Sequence, residues 1–274
     1  VGVFQNKKWS SSTIWLYKTH SELIMKIGLL TSGSLVEFRL KTLLPILADK
    51  QYEIKVAIVD KRPTKSLKQK FLKNFKRGRG GYMFIMAIEK FFSQKQKSIR
   101  IEEFCNENKI EIIETKAPYS DAIIDKIKES NLDILILVGG FGIVKEVLLN
   151  TTPKGVLSYH HGNMRKYRGM PPARWELYNN EKEMGVTVQV LASGLDCGIP
   201  IEEKTIEIRK SDTLKKLQNR ATERSIDMLY KALKKLSDKD FVPEKIETFG
   251  KVYTLPNLKQ WIILHIRLLL RRLK

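Results

Sequence analysis

The chain has 274 residues, 42% of them apolar and 29% charged, which suits one large α/β domain with a small appendage better than two full domains. Its formal net charge of +20 points to anionic partners, whether nucleic acid, acidic lipid or a phosphorylated substrate, and says nothing about fold. Cys105 and Cys197 are the only two cysteines; they are too few and too far apart for a disulfide framework or a zinc site, and they fit a reducing cytosol.

Residues 1–24 (VGVFQNKKWSSSTIWLYKTHSELI) contain no apolar run long enough for a signal peptide and read as an extension ahead of the folded part. Met25 then opens a strand. Ile27–Leu30 is a short apolar run ending in Thr-Ser-Gly-Ser. Leu35–Ala48 has helical spacing, and Ile54–Val59 is a β-branched run closed by Asp60. This strand–helix–strand order starts a parallel sheet covered on both faces. The first turn is not the GxGxxG dinucleotide fingerprint, so an NAD site is not supported.

Lys61–Arg79 carries nine cations and no acid, and Gly78, Gly80 and Gly81 end it. It reads either as a solvated helix face or as a phosphate-binding arm. Phe71 and Phe75, at helical spacing, point to a docked helix rather than a disordered tail. The alternation then resumes with a helix over Ile99–Asn108, a strand over Ile110–Glu114, and a helix over Ser120–Ser130 with Ser120 as its cap. Leu132–Val138 (LDILILV) is the most apolar strand of the chain and belongs at the centre of the sheet. Gly139, Gly140 and Gly142 follow at its carboxyl end, where open α/β sheets bind ligands. Ile143–Leu149 reads as a short helix and Val156–Tyr159 as another strand.

Two segments carry chemistry. In Gly155–Arg168 (GVLSYHHGNMRKYR), a strand ends in His160 and His161, followed by a loop dense in Arg, Gly and Pro. Adjacent strand residues face opposite ways, so the two rings cannot share a role. Either both are satisfied structural histidines, or one lines a crevice while the other packs inside. In Gly185–Gly198 (GVTVQVLASGLDCG), a strand of alternating polarity runs into a loop that presents Asp196 between glycines, by itself only a turn signal.

Together the two segments resemble the folate-dependent formyltransferase family, which includes glycinamide ribonucleotide, methionyl-tRNA and nucleotide-sugar formyltransferases. The family pattern runs Gly-x-Ile-Asn-x-His, a loop, Tyr-Arg-Gly with a following Pro, an aromatic-rich helix, Gly-Val-Thr and Leu-Asp-x-Gly. Its counterparts here are Gly155, Leu157, Ser158, His160, Tyr167-Arg168-Gly169, Pro172, Trp175, Gly185-Val186-Thr187 and Leu195-Asp196-Cys197-Gly198. The likeness covers roughly Met25–Ile208.

The resemblance implies a Rossmann-like α/β fold: an open, mostly parallel sheet with helices on both faces, followed by a helical C-terminal tail. It implies a catalytic domain over 25–208 with 209–274 as an appendage. It also implies a one-carbon group transferase that takes the formyl unit of 10-formyltetrahydrofolate, with no metal. Around the formyl carbon the family has an Asn, a His and an Asp. His160 and Asp196 match, and Ser158 stands where the family has Asn. A Ser hydroxyl can also donate to a developing oxyanion, with Asn163 or His161 as alternatives for that part. Arg168 either pins its loop or contacts substrate. The pterin is expected against backbone at Val138, Gly139, Gly140, Phe141 and Gly142 on one side and at Leu191 and Leu195 on the other.

Thr205–Ile208 closes this part as a strand, and Ser211–Leu236 reads as one long helix capped by Ser211. Asn257–Lys274 (NLKQWIILHIRLLLRRLK) is a basic, apolar helix, short of the roughly 20 apolar residues a spanning helix needs. It reads either as a helix packed on the domain or as an interfacial anchor on acidic lipid. The expected acceptor is a small phosphorylated or nucleotide-linked amine, and the expected location is the cytoplasm or the surface of a membrane facing it. A methionyl-tRNA acceptor is favoured by charge, but members with that acceptor carry a β-rich domain for which Ser237–Lys274 is too short. A catalytically inactive ligand-binding relative is the third reading, suggested by Ser158.

Overall fold

The computed structural model of the chain describes residues 24–63, 97–169 and 171–273, with residues 66, 69, 72, 75, 76 and 85 as single positions in between. Seven strands form the central sheet: β1 (Met25–Thr31), β3 (Tyr52–Asp60), β5 (Glu111–Thr115), β6 (Ile134–Gly139), β7 (Val156–His160), β9 (Glu183–Val190) and β10 (Ile199–Glu207). Their order is β10-β9-β7-β6-β1-β3-β5. The five strands from β7 to β5 are mutually parallel, and β9 and β10 add antiparallel pairs at one edge. This is the Rossmann-like, mostly parallel sheet expected, and the apolar run LDILILV supplies its central strand, β6.

Period-two alternation sorts the strand residues between two cores. Ile134, Ile136 and Val138 of β6 face a cluster that includes Leu43 and Ile46 of α1 (Glu37–Ala48) and Phe104 of α2 (Ile101–Glu107). Leu135 faces the other cluster with Ile123, Ile124 and Ile127 of α3 (Asp121–Glu129) and Leu148 and Leu149 of α4 (Glu146–Leu149). In α3 the buried isoleucines recur at helical spacing, with Asp121 in the first turn and Lys126 and Lys128 in the last, so packing and macrodipole agree.

Several element ends differ from the sequence expectation. Leu35 and Ile99 do not start helices. Ser34–Val36 (β2) and Ser98–Arg100 (β4) pair antiparallel with each other, so the helices begin at Glu37 and Ile101. Ser120 sits at the cap position of α3 without a side-chain cap bond; its carbonyl accepts from Ile123 and Ile124 instead. The helix expected from Ile143 begins only at Glu146.

The long helix expected over Ser211–Leu236 is two helices, α6 (Leu214–Arg224) and α7 (Met228–Ser237), and the cap is Thr213, whose hydroxyl accepts from the Lys216 N–H at 3.1 Å. The break has a tertiary cause. The buried Tyr159 hydroxyl donates to the Ser225 carbonyl at 2.6 Å and accepts from the Leu229 N–H at 3.1 Å. One side chain from β7 thus bonds a carbonyl at the end of one helix, which also accepts from the Met228 N–H, and an N–H at the start of the next.

The core runs on past residue 208. Leu217, Ala221, Met228, Leu229, Ala232 and Leu233 share the first cluster with β1 and β7. Further on, β11 (Lys251–Tyr253) pairs in parallel with β8 (Tyr167–Gly169), and α8 (Leu258–Leu273) packs on α5 (Arg174–Tyr178) through the buried Leu264 and Leu268. Arg267 donates to the Tyr178 carbonyl and stands 4.7 Å over its ring. Among the described residues no helix is long and apolar enough to cross a membrane.

Of the basic stretch Lys61–Arg79, the first two cations are committed to acids. Lys61 bonds Glu102 and Glu114 at 3.0 and 2.9 Å, and Arg62 bonds Asp60. Phe75 is exposed. Phe71 and most of the remaining cations lie outside the described residues.

Candidate active site

The site is built on one face of β7. Ser158 and His160 alternate with Leu157 and Tyr159, which belong to the first core cluster. Across the antiparallel ladder Ser158 lies opposite Gln189 and His160 opposite Thr187, so all four share a face. The loop 191–198 leaves β9 and folds back over that face. It does so because Asp196 takes a left-handed backbone, φ +47°, beside Gly194 at φ +117°.

His160 is held at both ring nitrogens. Its Nε2 lies 2.9 Å from the Tyr167 carbonyl, an acceptor only, so this nitrogen carries a proton and donates. Its Nδ1 lies 3.4 Å from Asp196 Oδ2. Asp196 is fixed in turn. Oδ2 accepts from the Gly169 N–H at 2.7 Å, and Oδ1 accepts from the Gln189 amide at 3.4 Å. The Gln189 carbonyl end accepts from the Gly198 N–H at 3.0 Å, closing the loop onto β9. Gly162 leaves room for the ring, since a Cβ there would stand 2.5 Å from His160 Nε2.

Arg168 ties three segments together. Its Nε donates to the Gly250 carbonyl at 2.8 Å, and its Nη1 donates to Cys197 Sγ at 2.7 Å and the Leu195 carbonyl at 3.4 Å. Of the two roles offered for Arg168, loop pinning or substrate contact, these bonds are of the kind that pinning needs. Ser158 is buried, with its hydroxyl 3.4 Å from the Tyr159 carbonyl. Asn163 closes a turn by accepting from the Arg165 N–H at 2.9 Å, and it lines a narrow cleft with Tyr167, Glu176 and Glu181. Burial pushes the Glu176 carboxyl in that cleft up to about 7.

His161 lies on the opposite face of the strand. It stacks on Tyr159 at 5.8 Å between centroids and meets Phe38 edge-on at 5.7 Å. Burial, with Arg39 and His160 adding to it, pushes its imidazole down to about 3, so it is neutral at ordinary pH. Its Nε2 is buried without a hydrogen-bond partner among the described residues.

At the end of β6, the side chains of Val138 and Phe141 are buried in the core, and Phe141 also offers its carbonyl to Arg62. Only backbone of Gly139–Gly142 is left to line a crevice. Gly140, at φ +71°, packs so closely on Ser32 that a Cβ would overlap its hydroxyl. Ile143 and Leu195 are exposed, whereas Leu191 is half-buried and donates its N–H to the Val156 carbonyl. Among the described residues no cluster of His, Cys, Asp and Glu has the make-up of a metal site.

Sequence reasoning missed two parts, Gln189 and the Tyr167 carbonyl. The carbonyl has no sequence signal. Gln189 had one: with Thr187 it forms the polar set of the alternating strand VTVQV, where an unpaired buried amide would be costly.

A model of the formyl transferase family matches residues 87–233, more than half of the chain and the part that carries His160, Asp196 and their supports. The chain belongs to this family. The methionyl-tRNA formyltransferase of Caldanaerobacter subterraneus subsp. tengcongensis is 30% identical over 122 residues, covering 44% of this chain and 40% of that protein. That of Clostridium beijerinckii is 32% identical over 123 residues, covering 45% and 40%. The chain thus spans about two fifths of the length of these curated relatives. Among solved structures, glycinamide ribonucleotide transformylase 1 from Symbiobacterium toebii superposes with a TM-score of 0.57 at 15% identity, over 87% of this chain and 100% of that one. A sugar 3N-formyl transferase, solved in the presence of dTDP and 5-N-formyl-THF, superposes with a TM-score of 0.56 at 18% identity, over 89% and 79%. At these identities the superpositions speak for the family fold alone.

Proposed function

We propose that the chain moves the formyl group of 10-formyltetrahydrofolate to the amine of a small acceptor, phosphorylated or nucleotide-linked, with His160 and Asp196 handling the protons. The observation that carries this reading is the convergence of His160 and Asp196, from separate family motifs, at 3.4 Å under one folded-back loop. The reaction forms a bond between the amine nitrogen and the formyl carbon and breaks the bond from that carbon to the donor nitrogen. Charge collects on the formyl oxygen meanwhile, and the proton the amine loses ends on the departing folate nitrogen.

With the Nε2 proton given to the Tyr167 carbonyl, Nδ1 is the His160 atom left to take up a proton, and the imidazolium so formed can donate from Nδ1 to the oxyanion or pass that proton to Asp196. Asp196 orients the ring and relays the proton, and Gln189 and Gly169 hold Asp196 as positioning groups. Ser158 takes the place of the family Asn on the same face as His160. The backbone at Gly139, Gly140 and Gly142, with the exposed Leu195 beyond it, suits the flat amide-like edge of a pterin. Two free thiols, Cys105 and Cys197, fit a cytoplasmic setting.

The test is transfer of labelled formyl from the folate donor to a panel of amines, with nucleotide-linked amino sugars and phosphorylated amines first. Transfer that His160→Ala abolishes supports the reading. A wild-type chain that binds the donor and formylates nothing would instead be an inactive relative. Ser158→Asn should retain turnover if the hydroxyl and the family amide serve the same oxyanion. A methionyl-tRNA acceptor is the second reading, favoured by the +20 charge and by the relatives' activity. It requires specific tRNA binding that survives moderate salt, where bare phosphate contacts fail steeply.

A further inference from the structure

The backbone that holds His160 and Asp196 belongs to β8. The Tyr167 carbonyl accepts from His160 Nε2, and the Gly169 N–H donates to Asp196 Oδ2. Arg168, between them, bonds the Leu195 carbonyl and Cys197 Sγ on either side of Asp196. Whatever fixes these three residues therefore fixes how the two side chains meet. Yet β8 lies outside the seven-stranded sheet, and among the described residues its strand partner is β11, which follows residue 233, where the family match ends. A ribbon of two short strands is marginal in water by itself, so the junction needs other support.

That support is visible on every side of β11. The register sets Lys251, Val252 and Tyr253 opposite Tyr167, Arg168 and Gly169. The chains approach so closely that a Cβ at Gly169 would overlap the Tyr253 carbonyl, and one at Gly250 would overlap the Lys166 backbone. The Gly250 N–H donates to the Met164 carbonyl at 3.0 Å, and its carbonyl accepts from Arg168 Nε at 2.8 Å. The Arg168 guanidinium also stands 5.4 Å over the Phe249 ring. The Tyr253 ring lies 5.1 Å from that of Tyr167 and 5.0 Å from that of Trp175, whose Nε1 donates to the Thr254 carbonyl at 2.9 Å. Core burial does not account for this segment. Lys251 and Val252 are exposed, and none of residues 249–254 belongs to either core cluster. What the segment touches is the frame of the site.

We propose that residues 249–254 are a positioning element of the active site, with Gly250 and Tyr253 holding β8 so that the Tyr167 carbonyl and the Gly169 N–H keep His160 and Asp196 in place for formyl transfer. The inference rests on the formyl-transfer reading and adds to it residues that lie in neither motif. They touch no substrate and act through β8. A displacement of about 1 Å at a reacting group can cost on the order of 10²-fold in rate. Loosening β11 should therefore slow turnover and leave substrate binding nearly as it was.

The experiment pairs formyl-transfer kinetics with NMR of the full chain carrying ¹⁵N-labelled histidine. An imidazole N–H bonded to a carbonyl is protected from exchange with water, so wild type should show a His160 Nε2–H resonance, identified by its absence from His160→Ala. Tyr253→Leu removes the ring that packs on Tyr167 and Trp175, and Gly250→Ala pushes β11 away from Lys166. Each should broaden or erase that resonance and lower kcat about 10- to 100-fold, with the donor KM near wild type. Tyr253→Phe keeps the ring and should restore both. The two changes reach β8 by different contacts, so if one variant fails to fold the other decides. The proposal is overturned if the variants melt earlier than wild type yet keep its kcat and the His160 resonance, which would make β11 a stabilising strand alone. It is equally overturned if KM rises while kcat holds, which would make the segment a substrate contact. A wild type that formylates no amine sinks the formyl-transfer reading instead, and the resonance then decides by itself whether β11 holds β8.

Discussion

On one face of β7, Ser158 and His160 lie beneath a folded-back loop, and each His160 nitrogen faces an oxygen. On the other face, Leu157 and Tyr159 enter the core, where Tyr159 ties two helices together, and the half-buried His161 sits against the rings of Tyr159 and Phe38 with a nitrogen unmet among the described residues. Two adjacent histidines thus live in opposite surroundings, one held between a carbonyl and a carboxylate and the other kept neutral by burial. Strand geometry makes the division, because neighbouring side chains leave the backbone in opposite directions. The lesson is that one strand can carry a polar site and its scaffold on alternate residues, so that each can change without the other.

Substitutions can break that comparison. The largest effect is expected for His160→Ala. Turnover in the formyl-transfer assay should fall by about 10³-fold or more, with thermal unfolding close to wild type, since both proton transfer and oxyanion contact go with the ring. If His161→Phe costs as much turnover, the division between the faces is wrong. Gln189→Ala should come next. Loss of its bridge frees the Asp196 loop, and kcat should drop roughly 10- to 100-fold while the acceptor KM stays near wild type, as for a misplaced rather than missing group. A rise in KM alone would make Gln189 a substrate contact.

Tyr159→Phe tests the scaffold face. It leaves the Leu229 N–H without its partner and the Ser225 carbonyl with only the Met228 N–H, and should lower stability by roughly 1–3 kcal/mol in denaturant titration. The turnover of the remaining folded protein should be unchanged.

The smallest effect at neutral pH is expected for His161→Phe, within about 1 kcal/mol, since an aromatic ring replaces an aromatic ring and an unmet nitrogen disappears. Its mark is in acid. The folded-state imidazole is depressed from 6.5 to about 3, so the unfolded chain binds the proton first as pH falls. Wild type therefore loses stability progressively from about pH 6.5 towards 3, and the variant should lack that part of the loss. Parallel acid limbs for the two proteins would mean that His161 is not buried neutral.

Much of this was legible in residues. The period of LDILILV and the β-branched runs foretold a parallel sheet with β6 at its centre, because a strand covered on both faces cannot afford polar positions. The paired segments GVLSYHH and GLDCG foretold which histidine and which aspartate come together, and they lie 3.4 Å apart. Helix ends were less legible. Leu35 and Ile99 have helical spacing behind them, yet each goes into a two-stranded pairing between chain segments distant in sequence. Leu214–Ser237 has one continuous apolar period, yet a tyrosine hydroxyl from β7 divides it.

By itself, then, the sequence determined what depends on neighbours along the chain: the alternation that fixes strand faces, the apolar period of the helices, and the motifs that carry His160 and Asp196. Only the tertiary structure decided what depends on neighbours across it. It turned His160 Nε2 to the Tyr167 carbonyl and brought Gln189 under Asp196. It set Lys210 and Lys216 beside Arg271 and Arg272, and it turned Leu264 and Leu268 of α8 into the core. The physical reason is that hydrogen bonds and charge contacts are fixed by distances between atoms, and residue spacing carries those distances only within a single strand or helix.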